Sequence, residues 1–221
     1  MAKMHDVDLA SKIDYTLLKP IVNSDQIKKL CREAIDHGFA AVCVPPYFVR
    51  QAHLFLESTK VNVVTVIGFP FGYSDMMVKV EEVKHAIEDG ADELDVVMNF
   101  SAFLSGNDSI VLKEIQSITT LAHLRGKIVK WIIETGILSK DQIGRACRLA
   151  SEAEVDFVKT STGFNGEGAT VETVKMLRKI LPAKIQIKAS GGIKTRKQAM
   201  DLIKAGADRI GTSSGVELVG S

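Results

Sequence analysis

Five charged side chains sit inside short runs that otherwise read as β-strands: Asp95, Lys130, Glu134, Lys159 and Lys188. By strand alternation Asp95 shares a face with Val97 and Asn99, and Lys130 shares one with Ile132 and Glu134. Lys159 falls with Phe157, and Lys188 with Gln186 and Ser190, while the opposite faces, such as Ile185, Ile187 and Ala189, are apolar. Three lysines and two acids on one set of faces have two physical readings. One is an ion-pair cluster filling an interior, since an unpaired buried charge costs several kcal/mol. The other is an active site. The second gains because Lys159 and Lys188 sit near the ends of their runs and lead straight into small residues. Thr160-Ser161-Thr162-Gly163 follows the first and Ala189-Ser190-Gly191-Gly192 the second. Gly211-Thr212-Ser213-Ser214-Gly215 follows the last run in the same way. Such loops let backbone N–H groups ring an anion, a phosphate above all. Gly68-Phe69-Pro70-Phe71-Gly72 reads equally as a fourth such loop or as a rigid turn.

Other chemistries are poorly provided for. Cys31, Cys43 and Cys147 are far apart and odd in number, which argues against a disulfide framework or a zinc site and for a reducing compartment. His5, His37, His53, His85 and His123 fall on helices or near a terminus, so no metal site is expected. With 28 Lys plus Arg against 27 Asp plus Glu, no global field draws the chain to nucleic acid or membrane. The longest uncharged stretch, Val61 to Ser74, is too short and too broken to span a bilayer. The opening residues lack the apolar core of a signal peptide. A cytoplasmic protein is expected.

Eight strands are predicted: Ile13–Leu17, Ala40–Val44, Val61–Ile67, Leu94–Met98, Ile128–Ile133, Phe157–Thr160, Ile185–Ala189 and Arg209–Thr212. Helix signals lie between them. Asn23 with Gln26, Ser139 with Gln142 and Thr195 with Gln198 have the spacing of capping boxes. Ile27, Leu30, Cys31, Ala34 and Ile35 form one stripe, with Gly38 as its stop; Met76, Val80, Val83 and Ile87 form another. Gly90-Ala91-Asp92 and Gly206-Ala207-Asp208 are alike, and Glu154-Val155-Asp156 sits at an equivalent joint, as repeated βα units require. At 221 residues, with 46% apolar and 25% charged residues, the chain suits one α/β domain. The expected fold is a (β/α)8 TIM barrel over 1–221, with a short N-terminal extension of about eight residues. A seven-stranded open sheet is the competing arrangement, because the first strand carries Asp14 and Tyr15.

The motifs resemble those of the deoxyribose-phosphate aldolase family. Phe157-Val158-Lys159-Thr160-Ser161-Thr162-Gly163-Phe164 is similar to its Schiff-base strand, and Lys188-Ala189-Ser190-Gly191-Gly192-Ile193 to its second lysine motif. Leu94-Asp95-Val96-Val97-Met98-Asn99 resembles its aspartate strand. Lys130 to Thr135, Ile13 to Lys19 and Gly211 to Gly215 also match, in the right order, from about residue 9 to the C-terminus. The resemblance implies a class I aldolase that reversibly cleaves 2-deoxy-D-ribose 5-phosphate to acetaldehyde and D-glyceraldehyde 3-phosphate. It implies a cytoplasmic barrel, dimeric or higher, without metal or other cofactor. Its partners would be a small phosphorylated sugar and short aldehydes, with no nucleic acid and no membrane.

The same resemblance distributes the roles. Lys159 would be the Schiff-base nucleophile, and must be neutral to attack a carbonyl. At an ordinary pKa of about 10.4 only about one lysine in 2500 is neutral at pH 7. Lys188, on the next strand, would supply the second cation that lowers this pKa and would relay protons. Asp95 would be the general acid and base, or simply the counter-ion of the lysines. Asp14, Thr16, Cys43 and Lys130 would lie about the substrate, with Lys130 paired to Asp14 or Glu134. Cys43 reads also as a small buried hydrophobe. Gly163, Gly191, Gly192, Ser213 and Ser214 would hold the phosphate. Four features depart from the family pattern: Tyr15 in place of histidine, the bulky Phe100-Ser101-Ala102-Phe103, Trp131, and Phe164 where some relatives carry lysine. Two other functions fit the residues: a Schiff-base sugar-phosphate aldolase with a ketone donor, and a barrel that binds sugar phosphate without turnover.

Overall fold

The computed structural model describes residues 8–220. His5 and nearly all of the expected N-terminal extension lie outside the described residues. Eight strands run in parallel and pair in chain order: β1 (Ile13–Thr16), β2 (Ala41–Val44), β3 (Asn62–Ile67), β4 (Glu93–Val97), β5 (Ile128–Ile132), β6 (Phe157–Lys159), β7 (Gln186–Ser190) and β8 (Arg209–Thr212). β8 pairs back onto β1, with Ile13 beside Ile210, so the sheet closes into a (β/α)8 barrel. The open-sheet alternative is thereby excluded. Around it run α1 (Ser24–His37), α2 (Val49–Leu56), α3 (Met76–Glu88), α4 (Phe100–Leu104), α5 (Asp108–His123), α6 (Lys140–Glu152), α7 (Val171–Ile180), α8 (Arg196–Lys204) and α9 (Gly215–Val219). No helix among the described residues is long and apolar enough to cross a membrane.

Local chemistry accounts for the joints. The three capping boxes form as their spacing predicts, starting α1, α6 and α8. Gly38 ends α1 in the left-handed region, at φ 67°. The recurring acid that precedes alternate strands has a defined task. Asp92, Asp156 and Asp208 accept from the backbone N–H of Val63, Val129 and Ile187, the second residues of β3, β5 and β7, at 2.8–3.0 Å. Each carboxylate satisfies a donor that the slanted parallel ladder leaves free.

Two helix stripes differ from expectation. Ile35 is 42% exposed, so α1 buries Ile27, Leu30, Cys31 and Ala34. In α3 the buried face is Lys79, Val83 and Ala86, and Met76, Val80 and Ile87 only flank it. A lysine takes the centre of that face because Glu114 of α5 lies 2.7 Å from its Nζ, which also donates to the Val97 carbonyl at 3.0 Å.

Register decides what faces inward. Asp14 stands beside Ala41, Cys43 beside Val64, Val66 beside Asp95, Asp95 beside Lys130, Ile132 beside Lys159 and Lys159 beside Lys188. One arc of the interior is therefore apolar, built from Ala41, Cys43, Val64 and Val66. The other arc is charged. The alternate residues, Trp131 among them, point into the larger core between strands and helices.

Candidate active site

Period-2 alternation brings seven ionisable side chains together inside the barrel. Lys159 on β6 and Lys188 on β7 lie 2.7 and 2.8 Å from the same atom, Oδ2 of Asp95 on β4. Lys130 on β5 lies 3.0 Å from the other carboxylate oxygen and 2.5 Å from Glu93. Asp14 on β1 is 2.5 Å from Lys188 and 3.7 Å from Lys130. Beneath them, Arg209 at the start of β8 reaches Asp14 at 2.6 Å and Glu93 at 3.4 Å. The ring of Phe157 lies under the cations of Lys130 and Arg209, at 5.9 and 5.6 Å.

Burial and charge pull these groups in different directions. Burial alone would raise the Asp95 carboxyl, but Lys130, Lys159 and Lys188 hold it well below the usual carboxylate range. Asp14 is likewise depressed against burial, by Lys188, Lys130 and Arg209. For Lys188 and Lys130 the neighbouring acids outweigh burial and push the ammonium pKa up. Lys159 alone of the three shifts down: burial disfavours its charge, Asp95 only partly offsets this, and Lys188 adds repulsion. The Cys43 thiol is pushed up to about 11, chiefly by burial, and stays neutral.

A cavity of about 220 Å³ opens above this cluster, at the C-terminal ends of the strands. Lys159 is the one cluster lysine in its wall; Lys188 and Lys130 lie below it, essentially without exposure. Thr16, Gly163, Gly191, Gly192 and Ser213 also line the cavity. Ser214 does not: its backbone N–H turns back to the Thr212 hydroxyl at the head of α9. Asp14, Cys43 and Lys130, expected about the substrate, are fully buried outside the wall, Asp14 and Lys130 as ion-pair partners and Cys43 in the apolar arc.

The loops over the cavity are held by backbone approach. The loops carrying Gly168 and Gly191 touch main chain to main chain. A Cβ on Gly168 would lie 2.1 Å from the Gly191 carbonyl oxygen, so neither position has room for a side chain. Glu134 is another fixing point. Its φ of 52° turns it out of strand alternation, so its carboxylate accepts from the Thr162 N–H and hydroxyl and not from Lys130. The expected Lys130–Glu134 pairing is thus corrected, while the Lys130–Asp14 contact is present. Phe164 stands half-exposed at the cavity edge, edge-on to Phe69 at 5.2 Å. Tyr15 faces away, bonded to Glu33 at 3.0 Å and packed on Phe39. Phe100 and Phe103 are buried.

Four residues escaped the sequence reading. Glu93 and Arg209 belong to the interior by the same period of two that marks Asp95 and Gly211. Lys19 and Lys194 line the cavity mouth; Lys19 closes a motif already singled out and Lys194 stands just past another. Among the described residues, no group of three or more His, Cys, Asp or Glu is placed to hold a metal ion.

Fold and site together define a class: a (β/α)8 barrel in which a buried lysine reaches a cavity at the strand C-termini from within an acid–base cluster. The chain belongs to the DeoC/LacD family of aldolases, whose model matches residues 9–218. It is 50% identical over 218 residues to the deoxyribose-phosphate aldolase of Thermococcus gammatolerans, covering 98% of this chain and 97% of that one. It is 49% identical over 213 residues to the enzyme of that name from Caldicellulosiruptor saccharolyticus, covering 96% and 97%. Among solved structures, the tetrameric deoxyribose phosphate aldolase of Aeropyrum pernix superimposes with a TM-score of 0.90 at 37% identity, covering 96% of this chain and 90% of that one.

Proposed function

We propose that the chain is a lyase that reversibly cleaves 2-deoxy-D-ribose 5-phosphate to D-glyceraldehyde 3-phosphate and acetaldehyde through an imine on Lys159. The names of its relatives support the reaction. One observation carries the assignment of the amine: of three buried lysines on one carboxylate, Lys159 is the one in the cavity wall. It is also the one whose pKa falls, as a nucleophilic amine requires.

In the cleavage direction the Lys159 amine adds to C1 of the open-chain aldehyde, and water leaves as the iminium forms. Removal of the C3 hydroxyl proton then breaks the C2–C3 bond, releasing D-glyceraldehyde 3-phosphate and leaving an enamine. Protonation at C2 and hydrolysis release acetaldehyde and restore the amine. Asp95 is ionised and touches both lysines, so it serves as base, relaying through water, with the Lys188 ammonium as the adjoining proton source. Gly163, Gly191, Gly192 and Ser213 surround the phosphate, with Ser214 behind them and Lys19 and Lys194 adding charge at the mouth. Thr16 faces the sugar, and Asp14, Lys130 and Cys43 form the floor and side beneath it.

The route needs no metal or other cofactor. The single barrel domain would act as a cytoplasmic homo-oligomer, as the tetramer named for the Aeropyrum pernix relative suggests. Borohydride reduction in the presence of acetaldehyde, followed by peptide mapping, tests the proposal. An ethyl group on Lys159 is expected. A label on Lys130 or Lys188 would reassign the nucleophile. No label on folded protein would leave a barrel that binds sugar phosphate without turnover.

A further inference from the structure

The ionised groups of the barrel interior do not balance if every lysine is charged. Among the described residues, three carboxylates, Asp14, Glu93 and Asp95, face four bases, Lys130, Lys159, Lys188 and Arg209. All but Arg209 are at most 4% exposed, and the Arg209 side chain is 15% exposed. The contacts are not shared evenly. Asp14 and Glu93 are engaged by Arg209, Lys130 and Lys188. Among the described residues Lys159 makes an ion pair only with Asp95, whose oxygens Lys130 and Lys188 also occupy. Among the described residues, the other titratable groups facing this interior are Cys43 on β2, a buried thiol, and Glu134 at the rim, whose carboxylate is bonded to Thr162 and Asn165.

We propose that Arg209 and Glu93, on the barrel floor and away from the cavity wall, are positioning residues that set the protonation state of Lys159 through the charge balance of the sealed interior. This rests on Lys159 being the nucleophile. With Arg209, Lys130 and Lys188 matched against three carboxylates, the interior is neutral when Lys159 is an amine. It carries a surplus positive charge when Lys159 is an ammonium. A surplus charge in a medium of low polarizability is resisted, so the proton leaves the group with the poorest pairing. Arg209 acts from a distance by occupying Asp14 and Glu93. Without it, those acids would be undermatched and the surplus would vanish, so Lys159 would keep its proton. Removing the Glu93 charge has the opposite sign.

The test is the pH dependence of kcat/KM for 2-deoxy-D-ribose 5-phosphate cleavage, which reports free-enzyme ionisations. In Arg209→Met the acid limb should move to higher pH by about one pH unit, a roughly tenfold smaller neutral-amine fraction below the limb. In Glu93→Gln it should move to lower pH by a similar amount. Arg209→Lys, which restores the charge, should return the limb toward its original place. A purely structural role for the two residues would lower rates at every pH and leave the limb where it was, and that result overturns the inference. If Arg209→Met does not fold, the Glu93→Gln shift carries the decision alone. Borohydride trapping on the parent enzyme separates the two levels of failure. A label away from Lys159 removes the foundation, whereas a label on Lys159 with unmoved limbs refutes the charge-balance role only.

Discussion

Lys159 and Asp95 differ in what their loss should do, because one supplies the bond and the other the proton. Asp95→Asn keeps the shape of the site but removes the base and a negative charge 2.7 Å from the lysine. Its kcat should fall by about 10²–10⁴-fold, the range of a general base. The acid limb of its pH profile should move down at the same time, because Asp95 is what raises the Lys159 pKa. A fall in rate with the limb displaced upward would mean that Asp95 does not act electrostatically on Lys159. These two residues and Lys188 were legible in the sequence because a charge inside an apolar β run violates the pattern of an ordinary barrel interior. Glu93 and Arg209 were not, because each opens its strand, where a charge is unremarked. The pairing of Lys130 with Glu134 failed for a backbone reason. Alternation presumes extended φ, and Glu134 is left-handed.

At the level of elements, the strands and capped helices followed from local signals: capping boxes, stop glycines and β-branched runs. The α3–α5 contact did not. Lys79 and Glu114 are 35 residues apart, and nothing in either helix announces that they meet. Burial pushes Lys79 down and Glu114 up, both toward neutrality, and the mutual attraction only partly opposes this. Lys79 also pins the end of β4 through the Val97 carbonyl, two residues from Asp95. Glu114→Leu should therefore destabilise the protein by about 3–5 kcal/mol, since it strands a buried ammonium. Adding Lys79→Met should recover most of that loss. Urea unfolding of the three variants measures both values, and a double variant no better than the single would show that the Val97 contact, not the ion pair, carries the stability.

For the molecule as a whole, the charged interior couples stability to pH, and the sign depends on the group. Asp14 and Asp95 have depressed pKa values in the folded state, so their contribution is present above about pH 3.9 and is lost as pH falls through the folded values. Lys130 and Lys188 are raised, so theirs is present below about pH 10.4 and is lost above it. Lys159 runs against both sets. Its folded pKa is lowered, so between that value and about 10.4 the unfolded chain binds more protons than the native one, and stability rises with pH. At neutral pH the nucleophile is thus a liability that the rest of the barrel must carry. Lys159→Met, of similar length and without the charge, leaves Asp95 paired to Lys130 and Lys188. The variant should be inactive, and more stable than the parent at pH 7 by about 1–3 kcal/mol. Its stability should also lack the parent's rise on the approach to pH 10. Denaturant unfolding at pH 6, 7, 8 and 9 resolves both features. A variant less stable than its parent, with the same slope against pH, would show that Lys159 is held as a matched ion pair and is not poised as a free amine.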